Sequence, residues 1–335
     1  MMESAHRQRR LWLKAGWASS MAGALPLGVH GAAPEIPASA RIVLGFPAGS
    51  AADMACRLFA QALQGRYARA VIVDNKAGAA GRIGVADLMG TPANGGTLLL
   101  TPTSVLTLYP HIYKNLAYDP FADLLPVTRA ATTTFALCVG PLVPASVKTL
   151  AQYLDWCRAN PGSASFGSPG AGSSPHFLGA MLARYSGVPL LHVPYKGTAV
   201  AINDLLAQQV SSVVVSPGNV KQYIPAKGVR ILAVTSPTRW DLLPAVPTMT
   251  ELGFPQATNT EPYAFFMRKG TRPELVERAT AALRAAASEP TLAQRLADYD
   301  MKVETSTPAE LTALLRRDHA RWQEVVRTVG FSPMD

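Results

Sequence analysis

The rhythm of this 335-residue chain limits its fold more than any other feature. Short apolar, β-branched runs alternate with longer segments of helical period, and the joints between them are repeatedly rich in glycine. The runs at 41–44, 71–73 and 97–100 predict strands, and the segments at 52–66 and 83–89 predict the helices between them. The same alternation returns with strands at 135–139, 164–166, 190–193 and 210–215 and helices at 149–159, 175–185 and 200–208. Parallel neighbours need a long crossover, so this order predicts βαβ units and two α/β sheets, each mostly parallel and flanked by helices. The length also suits two domains, each with its own core. From 273 onward the pattern is helical, at 273–287, 292–299 and 308–329. A tail of this kind is expected to pack back on the first domain. The expected division is 38–137 plus 259–335 for a discontinuous first domain and 138–258 for the second.

The first residues read differently. Arg7, Arg9, Arg10 and Lys14 open an apolar stretch at 11–29 that ends in the small residues Gly31, Ala32 and Ala33, which is the layout of an export signal. Residues 1–32 are therefore expected to be a leader cleaved near Ala32, leaving a periplasmic protein. Arg9-Arg10-Leu11-Trp12 resembles a twin-arginine signal, with Sec export as the alternative. Ser19, Ser20 and Pro26 interrupt the run, which argues against a membrane anchor. The formal charge is +9, but four of the 31 basic residues and one of the 22 acidic ones lie in the leader, so the remainder carries a smaller excess. Its basic residues are scattered and form no stripe interleaved with aromatics, which excludes nucleic acid as the expected partner. Cys56, Cys138 and Cys157 show no metal spacing and no Cys-x-x-Cys pair, and read as small core residues.

In open α/β sheets, ligands bind at the carboxyl ends of strands, so the strand-to-helix loops are the candidate sites. Loop one runs Gly45-Phe46-Pro47-Ala48-Gly49-Ser50-Ala51-Ala52-Asp53. Its Ser50 and Asp53 are spaced as a capping box, which would aim free backbone N–H groups at the loop and make it ready for an anion. A plain helix cap is the competing reading. Loop two, 75–84, lacks the glycine order of a dinucleotide site and has no phosphate-loop Lys; it reads equally as a tight turn packed on loop one. Loop three, 166–176, places Ser174 to cap a helix with Pro175 at its first position, preceded by Gly167, Gly170 and Gly172. His176 follows, as either a ligand donor or a structural hydrogen-bonder. Loop four, Tyr195-Lys196-Gly197-Thr198, adds a lysine, but an exposed Lys contributes only ~0–1 kcal/mol. Charge-assisted bonds from backbone N–H are stronger, about 1.5–3 kcal/mol each.

The chain has no Gly-x-Ser-x-Gly elbow, its six histidines are far apart in sequence, and no paired carboxylates or His-x-x-x-His stand out. Anion-ready loops without a nucleophile and base describe a binder rather than an enzyme, with no catalytic residue, metal or cofactor expected.

At these loops the sequence resembles the Bug-type, or TctC-like, solute-binding proteins of tripartite tricarboxylate transporters, within the periplasmic binding protein superfamily. The resemblance rests on 45–53, on 77–84, on Tyr118-Asp119-Pro120-Phe121-Ala122-Asp123 with Pro126-Val127-Thr128, on 167–176, and on His192-Val193-Pro194-Tyr195-Lys196-Gly197. Residues 231–236, 243–248 and 251–253 extend it. It implies a type II two-domain clamp with the ligand cleft between the domains, hinged near 135–139 and 261–265. It further implies a small carboxylate (an organic acid, amino acid or aromatic acid) delivered to membrane permease subunits by a monomer. A binding protein without a cognate transporter, acting as a sensor or partner module, is the second reading. The ligand-binding set implied is Phe46, Gly49, Ser50, Asp53, Ala80, Thr103, Ser168, Gly170, Gly172, Ser173, Ser174, His176, Tyr195 and Lys196. Ser50 and Ala80 stand where the family typically has glycine, Val200 where it has proline, and Tyr263 where it has Trp.

Overall fold

The computed structural model describes residues 38–335, so the export-signal expectation for 1–32 lies outside the described residues. The first sheet contains β1 Ser39–Leu44, β2 Ala70–Asn75, β3 Thr97–Pro102, β4 Leu124–Thr134, β10 Thr260–Arg268 and β11 Met301–Val303, in the order β11-β4-β10-β3-β1-β2. The second contains β5 Ala136–Val139, β6 Ser165–Ser168, β7 Leu191–Pro194, β8 Ser212–Val215 and β9 Arg230–Val234, in the order β7-β6-β8-β5-β9. The parallel core of each sheet is the part that the alternating sequence predicts: β1 pairs in parallel with β2 and β3, and β6 with β7 and β8. Of the antiparallel strands, β5 was expected at 135–139 and the others were not legible; together they make each sheet mixed. β10 lies antiparallel between β3 and β4, and β5 lies antiparallel between β8 and β9.

The helices are α1 Ala51–Leu63, α2 Arg82–Met89, α3 Ser104–Thr107, α4 Leu150–Ala159, α5 Ser174–Ser186, α6 Thr198–Leu206, α7 Ile224–Lys227, α8 Pro273–Ala287, α9 Pro290–Ala297 and α10 Pro308–Val329. Period-two alternation distributes the strands between two cores in each lobe. Ile42, Leu44, Leu98, Leu100 and Phe265 face α1, α8 and α9, while Val43, Leu99 and Phe266 face α2, α3 and α10. In the second lobe Leu137, Val139 and Val214 face α4 and α5, and Ala136, Cys138, Val213 and Val215 face α6. All three cysteines are free and buried, as expected of small core residues.

The chain changes sheets at Phe135, between β4 and β5, slightly before the expected boundary at 137/138, and returns ahead of β10. Thr235, fully buried, ties the two crossings together. Its N–H donates to Phe135 O (2.8 Å), its hydroxyl donates to Asn259 O (2.7 Å), and its carbonyl accepts from Asn259 N (2.7 Å). The tail is not confined to the first lobe. One stripe of α10, with Leu311, Leu315, Trp322 and Val326, joins the core of the first lobe, and Trp322 also meets Phe177 of α5 at 6.0 Å between rings. This helix is therefore a third connection between the lobes.

Candidate functional site

Loop one is held from below by a buried carboxylate. Asp53 Oδ2 accepts from Gly49 N and Arg57 Nε, both at 2.9 Å, and Oδ1 accepts from Asn75 Nδ2 at 2.9 Å. Burial pushes this carboxyl up, but the bonds from Arg57, Gly49 and Asn75 together hold it below its ordinary value. Ser50 caps α1 as expected, with Oγ accepting from Asp53 N at 3.1 Å. The expected reciprocal half of the capping box does not form. Gly49, at φ 82°, turns its own N–H onto the Asp53 carboxylate, and this leaves Ser50 N without that partner. Among the described residues, the N–H groups of Ser50, Ala51 and Ala52 meet no acceptor. The exposed side of loop one at 47–49 thus adjoins a helix start with unused donors.

Besides the Asn75 side-chain bonds, loop two packs against loop one with backbone directly on backbone. A Cβ on Gly84 would lie 2.8 Å from Gly45 Cα, and one on Gly45 would lie 2.6 Å from Gly81 Cα. The half-buried Phe46 ring covers the other side of Gly81. Ala79, Ala80 and Gly81 are all left-handed, at φ 47°, 55° and 95°, and Tyr109 Oη donates to Ala80 O at 2.9 Å. A left-handed alanine carries a steric penalty that glycine lacks. Ala80→Gly is therefore expected to raise stability by about 0.5–1 kcal/mol after the entropy of the added glycine is subtracted, measured by urea unfolding.

In loop three the cap is Ser173, not Ser174: its Oγ accepts from His176 N, Ser174 is the first helical residue and Pro175 the second. Ser174 is buried and donates to Glu261 Oε2 at 2.7 Å, while Ser104 N donates to Oε1 of the same carboxylate at 3.1 Å. The hydroxyl expected to face a ligand therefore ties α5 of the second lobe to the first. Burial pushes the Glu261 carboxyl up to about 7, against the pull of Ser174 and Ser104. Ser168 Oγ and Ser173 Oγ both donate to Gly170 O, at 3.0 and 2.7 Å. This winding leaves the N–H groups of Gly170, Ala171 and Ser174 without an acceptor among the described residues. His176 is buried, and its Nδ1 accepts from Gly172 N at 3.1 Å, the structural hydrogen bond that the sequence left as an alternative. Gly172 packs on the first lobe, where an added Cβ would meet Ile112 Cδ1 at 2.7 Å.

Loop four lies beside loop three: Tyr195 N donates to Ser168 O and Gly197 N to Pro169 O, at 3.0 and 2.9 Å. The Tyr195 ring covers Gly167, and Lys196 is exposed with no ion pair among the described residues. Gly197, at φ 112°, opens α6 with no side-chain cap, so Thr198, Ala199 and Val200 also keep unused N–H groups. Thr103 is buried at the end of β3, and its N–H donates to Pro262 O at 2.8 Å. The expected set thus divides. Residues of loops one, three and four border unused donors, whereas the side chains of Asp53, Ser174 and His176 and the N–H of Thr103 are spent on internal bonds. Sequence reasoning missed Glu261, whose signal was a lone acidic residue in an apolar strand, and the free start of α6. Two surface depressions, against α4 and against α8, contain none of these loop residues. The described residues contain no cluster of three metal-ligating side chains.

Two α/β lobes joined by paired strand crossovers, with donor-rich loops at the strand ends, define a two-domain solute-binding clamp. Solved structures agree. An R. palustris protein with adipate aligns with a TM-score of 0.81 and 26% identity over 88% of this chain and 98% of its own. The periplasmic binding protein BugD aligns with a TM-score of 0.79 and 27% identity over 88% and 99%. The family model described as "Tripartite tricarboxylate transporter family receptor" matches residues 55–331, and the chain belongs to this family. Relatives include a "UPF0065 protein in tcbD-tcbE intergenic region" of a Pseudomonas species, 35% identical over 85% of this chain and 84% of the relative. Protein BugT of Bordetella pertussis is 29% identical over 87% and 89%. The family is one of solute-binding proteins, and the resemblance read from the loops holds.

Proposed function

We propose that this protein captures a small carboxylate between its lobes in the periplasm and hands it to the permease subunits of a tripartite tricarboxylate transporter. The observation that carries this reading is the set of unused backbone N–H groups at the starts of α1, α5 and α6. Helix starts stabilise negative charge through oriented amides and the helix dipole, and these three follow strand ends, where α/β folds bind ligands. On this reading the lobes, divided near Phe135 and Asn259, close on the ligand as a hinge. Ser50, Gly170 and Ser173 shape the donor loops, and Lys196 is secondary.

The test is a thermal-shift titration with adipate, the ligand of the R. palustris relative, alongside tricarboxylates, amino acids and aromatic acids. A bound carboxylate raises the melting temperature in proportion to the logarithm of its concentration. Ala51→Pro removes one donor at the first helical position, where proline is tolerated and Ser50, at ψ 160°, already has the extended geometry proline requires. It is expected to weaken binding roughly 10-fold or more without unfolding the protein, since one charge-assisted bond is lost. No shift with any carboxylate would remove the reading.

A further inference from the structure

We propose that His176 and His192 act as a paired positioning device that sets the backbone of loop three, with His192 as a functional residue in its own right. The two rings lie face to face, 3.7 Å between centroids and 9° from parallel. They belong to different elements, His176 to the first turn of α5 and His192 to β7. Phe166 packs beside the pair, 4.9 Å from His192 and 6.5 Å from His176, and Phe177 and Phe331 pack round His176 at 5.2 and 5.6 Å.

Each ring holds one end of the loop, and the bonds dictate the tautomers. His176 Nδ1 must be an acceptor, because Gly172 N–H points at it, so its proton is on Nε2. His192 Nε2 lies 2.8 Å from Ser168 Oγ, and the Ser168 proton is already directed to Gly170 O. Nε2 of His192 therefore carries a proton and donates it, which makes a relay from His192 through Ser168 to the Gly170 carbonyl. With the Gly170 carbonyl and the Gly172 N–H both turned inward, the N–H groups of Gly170, Ala171 and Ser174 remain unused. Two charged rings at this separation would repel, and a protonated His176 Nδ1 would confront the Gly172 N–H. Burial holds His176 down to about 4 and, with His176 beside it, His192 down to about 3, so both are neutral across the physiological range. No carboxylate contributes to either shift, and the charge that bears on His192 is that of His176 itself.

The consequence for binding rests on the carboxylate reading above, but the loop geometry is read separately. In the purified protein, 15N spectra of the imidazoles should show His176 unprotonated at Nδ1 and His192 protonated at Nε2. His176→Phe preserves the stack and deletes the acceptor; His176→Asn places Oδ1 where Nδ1 lies. His192→Phe and His192→Gln form the matching pair for the Ser168 bond. Each Phe variant is expected to weaken adipate binding about 10-fold, and the Asn or Gln variant to recover most of that, as expected for loss and return of a loop-fixing hydrogen bond. The Gly172 amide should exchange faster in His176→Phe and at the wild-type rate in His176→Asn. The opposite tautomers, or Phe variants that keep both wild-type affinity and Gly172 protection, would overturn the proposal. If the wild type binds no carboxylate, the functional reading fails, and the tautomers and Gly172 exchange still decide the role of the pair.

Discussion

Gly45→Ala is expected to destabilise the protein by about 3 kcal/mol or more, at the upper end of what overpacking does, because the obstacle is backbone and not a movable side chain. The new methyl would fall on Gly81, closest to its carbonyl oxygen and 2.6 Å from its Cα. Gly81 cannot retreat, since the Phe46 ring lies against its other side, at 3.0 Å from a Cβ position there. Gly84→Ala should act in the same direction, its methyl being 2.8 Å from Gly45 N and Cα. Gly162→Ala is the control: a methyl there meets nothing within 4 Å, and its effect should stay within roughly 0.5 kcal/mol. Urea midpoints of the three variants measure this directly. A Gly45→Ala protein as stable as Gly162→Ala would mean that loops one and two do not touch.

Glu261→Gln should remove a pH dependence from stability. The folded carboxyl titrates at about 7 and the unfolded one at its ordinary value of 4.5, so between these limits the folded state binds more protons. Stability from this group therefore falls as pH rises from 4.5 through 7, and the full difference is on the order of 3 kcal/mol above that window. Glutamine is nearly isosteric and can accept from Ser104 N while donating to Ser174 Oγ. The variant should match the wild type near pH 5 and exceed it near pH 8. Asp318, Arg321, Tyr109 and Tyr263 are the charged or titratable groups electrostatically coupled to Glu261, and all are retained in the comparison. His176 and His192 act in the opposite sense, since their lowered values make stability fall as pH drops below about 6.5. Only the difference between wild type and variant isolates Glu261. Parallel stability curves from pH 5 to 8 would show that the carboxyl is not buried between the lobes.

The parts of the fold legible in the sequence are those with local causes. Strands β1, β2, β3, β6, β7 and β8 and their following helices announced themselves by apolar runs, caps and glycine joints, and Asp53 and Ser50 were recognisable as a helix start. Of the antiparallel strands β5 was legible at 135–139, but β4, β9, β10 and β11 were not. β4 reads Leu-Leu-Pro-Val-Thr-Arg-Ala-Ala-Thr-Thr-Thr and β10 contains Pro262, so neither shows clean alternation; their extended state is imposed by pairing with each other. Helix α10 was evident from its period, but its packing against both lobes was not, because Phe177 and Trp322 are remote in sequence.

By itself the sequence determined the two-sheet α/β class, the family and the glycine-rich strand-to-helix loops, since strand, cap and turn preferences act over a few neighbouring residues. Only the tertiary structure decided which polar groups in those loops remain free. Ser174 and His176 look available in the chain, and both are consumed, one by Glu261 from 87 residues away and the other by a loop folded back over its own helix. A hydrogen bond requires its partner within about 3 Å, and the return of β10 beside the start of α5 is what brings Glu261 that close.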